Sequence, residues 1–242
     1  SWCQTPALPH HVRMHPVPRV LALIPAHDEG PRIASVVRAA AAHLPVLVID
    51  DGSTDDTAAV SEAAGAEVHG QHPNQGKGAA LRAGFAVAIS RGVLAVVTLD
   101  GDGQHDPAEL PRFLQAEREH PVELIVGQRD FGRMPLVRRI ANGLGTLLLS
   151  AAVGRWIPDN QSGYRLVGRR LMAEMIASSE DGFAFEVEMI AVCLREGWPI
   201  RWVPISTIYR GERSHIRPLR HLREFIAISR RARHIVRGRR GA

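Results

Sequence analysis

The sequence predicts an α/β domain, a mostly parallel central sheet flanked by helices, and three observations point to it. Apolar runs at 19–24, 46–49 and 96–99 are continuous rather than alternating, as in strands covered on both faces. The stretches between them place apolar residues at helical spacing, as at Ile33, Val36, Val37 and Ala40. Each run ends in carboxylates, Asp28 and Glu29, Asp50 and Asp51, Asp100 and Asp102, where open α/β sheets take their ligands. With a shorter strand at 67–69, four strand-then-helix units precede residue 120, which calls for parallel pairing with crossover helices.

The chain has 242 residues, of which 45% are hydrophobic, enough for one domain with a full core. The longest apolar segment, 143–154, is interrupted by Thr146 and Ser150 and is too short to span a bilayer. The first residues lack the basic start and apolar centre of a signal peptide. Two cysteines make no disulfide framework, which favours a reducing, cytoplasmic setting. The net charge of +5 is uneven: nine arginines and one acid lie from Arg217 onward, so the preceding body is slightly acidic.

Residues 1–18 carry Pro6, Pro9, Pro16 and Pro18 and read as an extended arm, with His10, His11 and His15 solvated. The first strand leads into Pro25-Ala26-His27-Asp28-Glu29-Gly30-Pro31, where Pro31 suits the first turn of a helix. Asp28 and Glu29 either favour that helix's N-terminus or contact a ligand. The second strand ends in Asp50-Asp51-Gly52-Ser53-Thr54-Asp55; its later residues suit capping of the next helix. Asn74-Gln75-Gly76-Lys77-Gly78 opens a helix without Walker spacing, yet offers N–H groups and a cation to a phosphate or base. Asp100-Gly101-Asp102 on a turn can point two oxygens at one hard cation, Mg²⁺ or Mn²⁺, and Gln104 can add a neutral oxygen. No G-x-G-x-x-G follows the first strand, which excludes a dinucleotide site of that type.

Together with Gly127-Gln128-Arg129 and Asp159-Asn160-Gln161-Ser162-Gly163-Tyr164-Arg165, these motifs carry a resemblance over roughly 19–215. The chain resembles the family 2 glycosyltransferases of GT-A fold, nearest to dolichol-phosphate mannose synthases and bacterial polyprenyl-phosphate glycosyltransferases. The resemblance implies a metal-dependent, inverting transfer of sugar from a UDP- or GDP-sugar to polyprenyl or dolichyl phosphate. It implies that Pro25, Ala26, His27, Glu29, Asp51, Lys77, Asp100, Gly101 and Arg210 hold the nucleotide-sugar. Asp100, Asp102, Gln104 and His215 would hold Mg²⁺ or Mn²⁺. Arg129, Arg138 and Arg139 would receive the acceptor phosphate. Asp102 and Asp159 are the implied catalytic residues, with Asp159 near the reacting sugar. His27-Asp28 stand where the family has Tyr-Asn, and Ser214-His215 where its closing loop has Ser-Lys. Glu186 and Glu188 start a helix and either favour its dipole or touch the acceptor. A hydroxyl acceptor, or an inactive nucleotide-binding scaffold, are the competing readings.

Arginines at 133, 138 and 139 precede Ile140, Leu144, Leu147, Leu148 and Leu149, a pattern that suits a phosphate head with an apolar tail or a core helix with a basic end. The segment 219–236 alternates Arg with Leu222, Phe225, Ile226 and Ile235 at helical spacing. The expected organisation is therefore an arm (1–18), a catalytic domain (19–216) and a basic amphipathic tail (217–242). The tail would hold the protein peripherally on an anionic membrane, at its cytoplasmic face. Nucleic acid is not an expected partner, because the body is acidic and aromatics are sparse.

Overall fold

A computed structural model describes residues 19–134, 136–182, 184–208 and 218–238, without the side chains of 133, 136–138 and 218–222. The first half alternates as the sequence predicts: β1 (Val20–Ala26), α1 (Gly30–Ala41), β2 (Val46–Asp51), α2 (Thr57–Ala63), β3 (Glu67–Gln71), α3 (Lys77–Ser90), β4 (Ala95–Thr98) and α4 (Leu110–Glu119). The second half adds β5 (Leu124–Arg129), α5 (Leu136–Val153), β6 (Arg165–Gly168), α6 (Arg169–Ile176), α7 (Ala184–Glu196), β7 (Ile200–Ile205) and α8 (Pro218–Arg237).

One seven-stranded sheet results, in the order β3-β2-β1-β4-β6-β5-β7. Its pairings are parallel except for β6, which runs antiparallel to both β4 and β5. The chain leaves β1 in one direction to build β2 and β3, and returns to the other side of β1 to build β4. The carboxyl ends of β1, β2 and β4 therefore converge on one crevice, the switch point of the sheet.

The continuity of the apolar runs follows from two separate cores. Leu21 and Leu23 face a core shared with α3, α6, α7 and α8, whereas Ala22 and Ile24 face one shared with α1 and α4. Both side-chain sets of β1 are buried, so no polar alternation survives. β5, β6 and β7 have no counterpart in the sequence reading. The four-residue β6 is too short for its pattern to separate a strand from a buried helical turn.

The C-terminal segment departs from an appended tail. α8 packs against α5 and α7, with Ser229 and Ala232 buried and Ile228, Ile235 and Val236 against the main core. Arg231 ties it further to Glu180 and, at 3.4 Å, to Glu188. Its other arginines at 223, 230, 233 and 237 are exposed, so the helix is amphipathic as expected, but its apolar side is spent on the body. Ala232→Asp should therefore lower stability by about 3 kcal/mol in urea unfolding, since it overpacks the core and buries a charge. Arg233→Asp, on the exposed side, should leave the midpoint nearly unchanged. Equal effects from the two would refute the packing.

Candidate active site

The turns after β1 and β2 are locked together by carboxylates. Asp55 Oδ2 accepts the Gly30 N–H at 3.0 Å and Oδ1 accepts the Thr57 N–H at 2.9 Å, so one side chain serves the first turns of α1 and α2. Asp28 Oδ1 accepts the Thr54 N–H at 2.7 Å, from a backbone at φ +54°. Glu29, at the N-terminus of α1, makes no side-chain cap bond and pairs with Arg32 at 2.8 Å. Capping thus belongs to Asp55, and Glu29 stays on the wall of the crevice.

Asp51 fixes the next loop. Its Oδ1 accepts from the Gln71 amide at 2.6 Å and the Gln75 N–H at 2.8 Å, and its Oδ2 accepts the Gly76 N–H at 2.7 Å. The Gly78 N–H donates to the Asp181 carbonyl at 2.7 Å. The two glycine N–H groups expected to face a phosphate are therefore used within the protein. Glycine is required there because a Cβ at 76 would lie 2.5 Å from the Asp181 oxygen and one at 78 would lie 2.6 Å from that of Glu180. What the loop delivers to the crevice is Lys77, the first residue of α3.

The Lys77 ammonium stands between two carboxylates, 2.6 Å from Asp100 Oδ1 and 2.7 Å from Glu186 Oε1. Burial works against the lysine's charge, but Asp100 and Glu186 outweigh it and raise its pKa. Burial likewise pushes Asp100 up, and Lys77 and His105 more than offset it, holding the carboxyl at about 2. The buried His105 accepts the Asp100 N–H on Nδ1 at 3.2 Å; burial lowers its pKa, and the Asp100 charge opposes this. Asp102 Oδ1 accepts the Gln104 N–H at 2.9 Å, closing the turn after β4. Burial raises the Glu29 carboxyl, Arg32 opposes this, and the charges of Asp102 and Asp100 push it further up. Three acids that repel one another across a crevice, all hard oxygen donors, suit a hard divalent cation. Among the described residues no group of three acid, His or Cys side chains forms a ready-made cage.

Pro25, Ala26, His27, Glu29, Asp51, Lys77, Asp100, Gly101, Asp102, Gln104 and Arg129 all line one cavity of about 650 Å³. The described residues predicted for nucleotide and metal are thus brought together. Arg210 and His215 lie outside the described residues, as does the side chain of Arg138. Arg139 is exposed on α5 and is not on the cavity wall, because its helix turns it to the surface.

Asp159 is placed differently from the expectation. It is fully buried, off the cavity wall, and grips Arg129 at two points: Nε to Oδ2 at 2.7 Å and Nη2 to Oδ1 at 2.9 Å. Its Oδ1 also accepts the Gln161 N–H at 3.1 Å, so the acid sits behind Arg129 and orients it. The sequence reading did not place His105, Asn160, Gln161 or Gly163 in the site, although each lay inside a motif it singled out. Glu186 stood there only as a possible acceptor contact. Glu224, Phe225 and Ile228 of α8 also line the cavity, and no local pattern could have shown that.

Residues 22–175 match the family described as "Glycosyl transferase family 2". The chain is 33% identical over 207 residues to an undecaprenyl-phosphate mannosyltransferase of Micrococcus luteus, covering 79% of this chain and 84% of the relative. It is 30% identical over 209 residues to a polyprenol monophosphomannose synthase of Mycolicibacterium smegmatis, covering 80% and 78%. Among solved structures, glucosyl-3-phosphoglycerate synthase of Mycobacterium tuberculosis, with Mn²⁺, UDP and glucosyl-3-phosphoglycerate, superposes with a TM-score of 0.67. At 21% identity it covers 92% of this chain and 80% of that one, which is a likeness of fold. The chain belongs to glycosyl transferase family 2 and is a glycosyltransferase of GT-A fold.

Proposed function

We propose that the enzyme transfers a sugar from a nucleoside-diphosphate sugar to a polyprenyl phosphate, with Mg²⁺ or Mn²⁺ at Asp100 and Asp102, at an anionic membrane surface. The observation that carries this reading is the Asp159–Arg129 pair. A hydroxyl acceptor needs a carboxylate to take its proton. Asp159 instead spends both oxygens on a guanidinium that faces the cavity. An oriented guanidinium suits a phosphate, and a phosphate monoester is already an anion near neutral pH. The named relatives act on undecaprenyl phosphate and polyprenol phosphate, which agrees.

Pro25, Ala26, His27 and Asp51, at the ends of β1 and β2, form the end of the cavity for the base and ribose. Asp100 and Asp102, with the Gln104 side chain beside them, would hold the cation, which supplies Lewis-acid stabilisation of the departing diphosphate. Lys77 adds fixed positive charge on that side. Arg129, braced by Asp159, would align the acceptor phosphate for attack. Phe225, Ile228 and Val187 offer apolar walls for the first carbons beyond that phosphate.

A surface suited to lipid adjoins this end. Ile140, Leu144 and Leu147 form an exposed stripe on α5, spaced for one helical face, and neighbouring α8 carries the exposed arginines. Exposed apolar residues beside cations are the composition of an interfacial helix pair, and each Arg near an anionic leaflet adds about 1 kcal/mol. Among the described residues no helix is long and apolar enough to cross a membrane.

Three outcomes test this reading. UDP or GDP should raise the melting temperature only with Mn²⁺, and Asp100→Asn or Asp102→Asn should abolish that shift; an unchanged shift in either would sink the metal assignment. Arg129→Ala should lower kcat/KM for a short polyprenyl phosphate about a hundredfold, while nucleotide binding stays intact. Asp159→Asn should do the same more weakly, and a loss of nucleotide binding in either variant would argue against the acceptor role. Sedimentation with phosphatidylglycerol vesicles should fall sharply in the triple variant Ile140→Ser, Leu144→Ser, Leu147→Ser. Undiminished sedimentation would remove this face from the membrane.

A further inference from the structure

Lys77 is shared. Its ammonium has three donors, and it contacts carboxylates from segments far apart in sequence, Asp100 after β4 and Glu186 in the first turn of α7. Asp100 is the one of these two acids that the proposed cation also needs. Glu186 is buried to 3% exposure and is anchored from below: the fully buried Arg165 donates to the Glu186 carbonyl, to that of Ser162 at 2.8 Å and to that of Asn160 at 3.3 Å. Gly163 closes the space beside the pair, since a Cβ there would stand 2.9 Å from Lys77 Nζ and 3.0 Å from both Asp100 oxygens.

An ammonium and a divalent cation on one carboxylate compete, because both draw on the same oxygens and repel each other. If Asp100 alone held Lys77, cation binding would strip a largely buried lysine, 26% exposed, of its counter-ion, which is costly. We infer that Glu186 is a positioning residue: it keeps Lys77 on the cavity wall while Asp100 passes from the ammonium to the divalent cation. This rests on the proposed metal site and deepens it. Lys77 then remains beside the diphosphate in the loaded state, and the cation meets an Asp100 that has already been given a way to let its ammonium go. Glu186 acts through Lys77 and does not ligate the metal.

The test is Mn²⁺ affinity without nucleotide, read by electron paramagnetic resonance, with UDP or GDP affinity measured separately in Mn²⁺. Lys77→Met should tighten Mn²⁺ by about tenfold by removing the competing charge, and weaken the nucleotide. Glu186→Gln should weaken Mn²⁺ by about tenfold, because Lys77 then draws more strongly on Asp100. The double variant Lys77→Met with Glu186→Gln decides the route. With Lys77 absent, the Glu186 change should cost no further Mn²⁺ affinity, a non-additivity of about tenfold. If Lys77→Met is poorly folded by circular dichroism, Lys77→Gln with and without Glu186→Gln supplies the same comparison. A full tenfold loss on adding Glu186→Gln to Lys77→Met would make Glu186 a ligand and overturn the inference. So would an unchanged Mn²⁺ affinity in Glu186→Gln. Failure of the wild type itself to bind Mn²⁺ would overturn the metal reading, and the inference with it.

Discussion

Lys77 binds two carboxylates from segments far apart in the chain, and this part of the site is built around that ammonium. On one side stands the turn after β4, which carries Asp100 and Asp102. On the other stands α7, whose first turn carries Glu186. A buried acid without a partner is costly, so neither segment can drift without exposing a charge to a medium that solvates it poorly. The same constraint accounts for the glycines around the lysine. Gly76 and Gly78 let α3 start against the Asp181 and Glu180 carbonyls, and Gly163 leaves room for the ion pair itself.

Arg129 and Asp159 repeat this construction elsewhere on the cavity wall. In each case a cation on the wall is held in place by an acid largely withdrawn from solvent, and the acid's job is orientation. A guanidinium fixed at two points loses little further freedom when it meets a phosphate. These positive groups on the cavity wall are thus preorganised by the fold and do not have to be gathered by a substrate.

Helix α8 links the site to the surface. Its inner face supplies Phe225 and Ile228 to the cavity, and its outer face supplies exposed arginines beside the apolar stripe of α5. One helix therefore contributes both to the cavity and to the exposed surface beside it. An amphipathic helix can do this only if its apolar stripe is wide enough to be divided between core and cavity, and in α8 Ala232, Ile235 and Val236 take the core share.

The sequence by itself determined the parallel half of the sheet, the order of its helices and the acids at the strand ends. Those features are local: a doubly covered strand must be continuously apolar, and a carboxylate directly after such a strand must emerge at its carboxyl end. The same local reasoning identified Asp100, Asp102 and Gln104 as neighbours, because two or four residues separate them. Only the tertiary structure decided what those acids do with their partners. Asp51 proved to hold a loop 24 residues away, Asp159 to grip an arginine 30 residues away, and Asp55 to serve two helices at once. The placement of β6 between β4 and β5, and the burial of one face of α8, were likewise decided by packing. Periodicity tells which residues share a face. Which body that face meets depends on contacts between segments distant in the chain, and no spacing within a single segment records them.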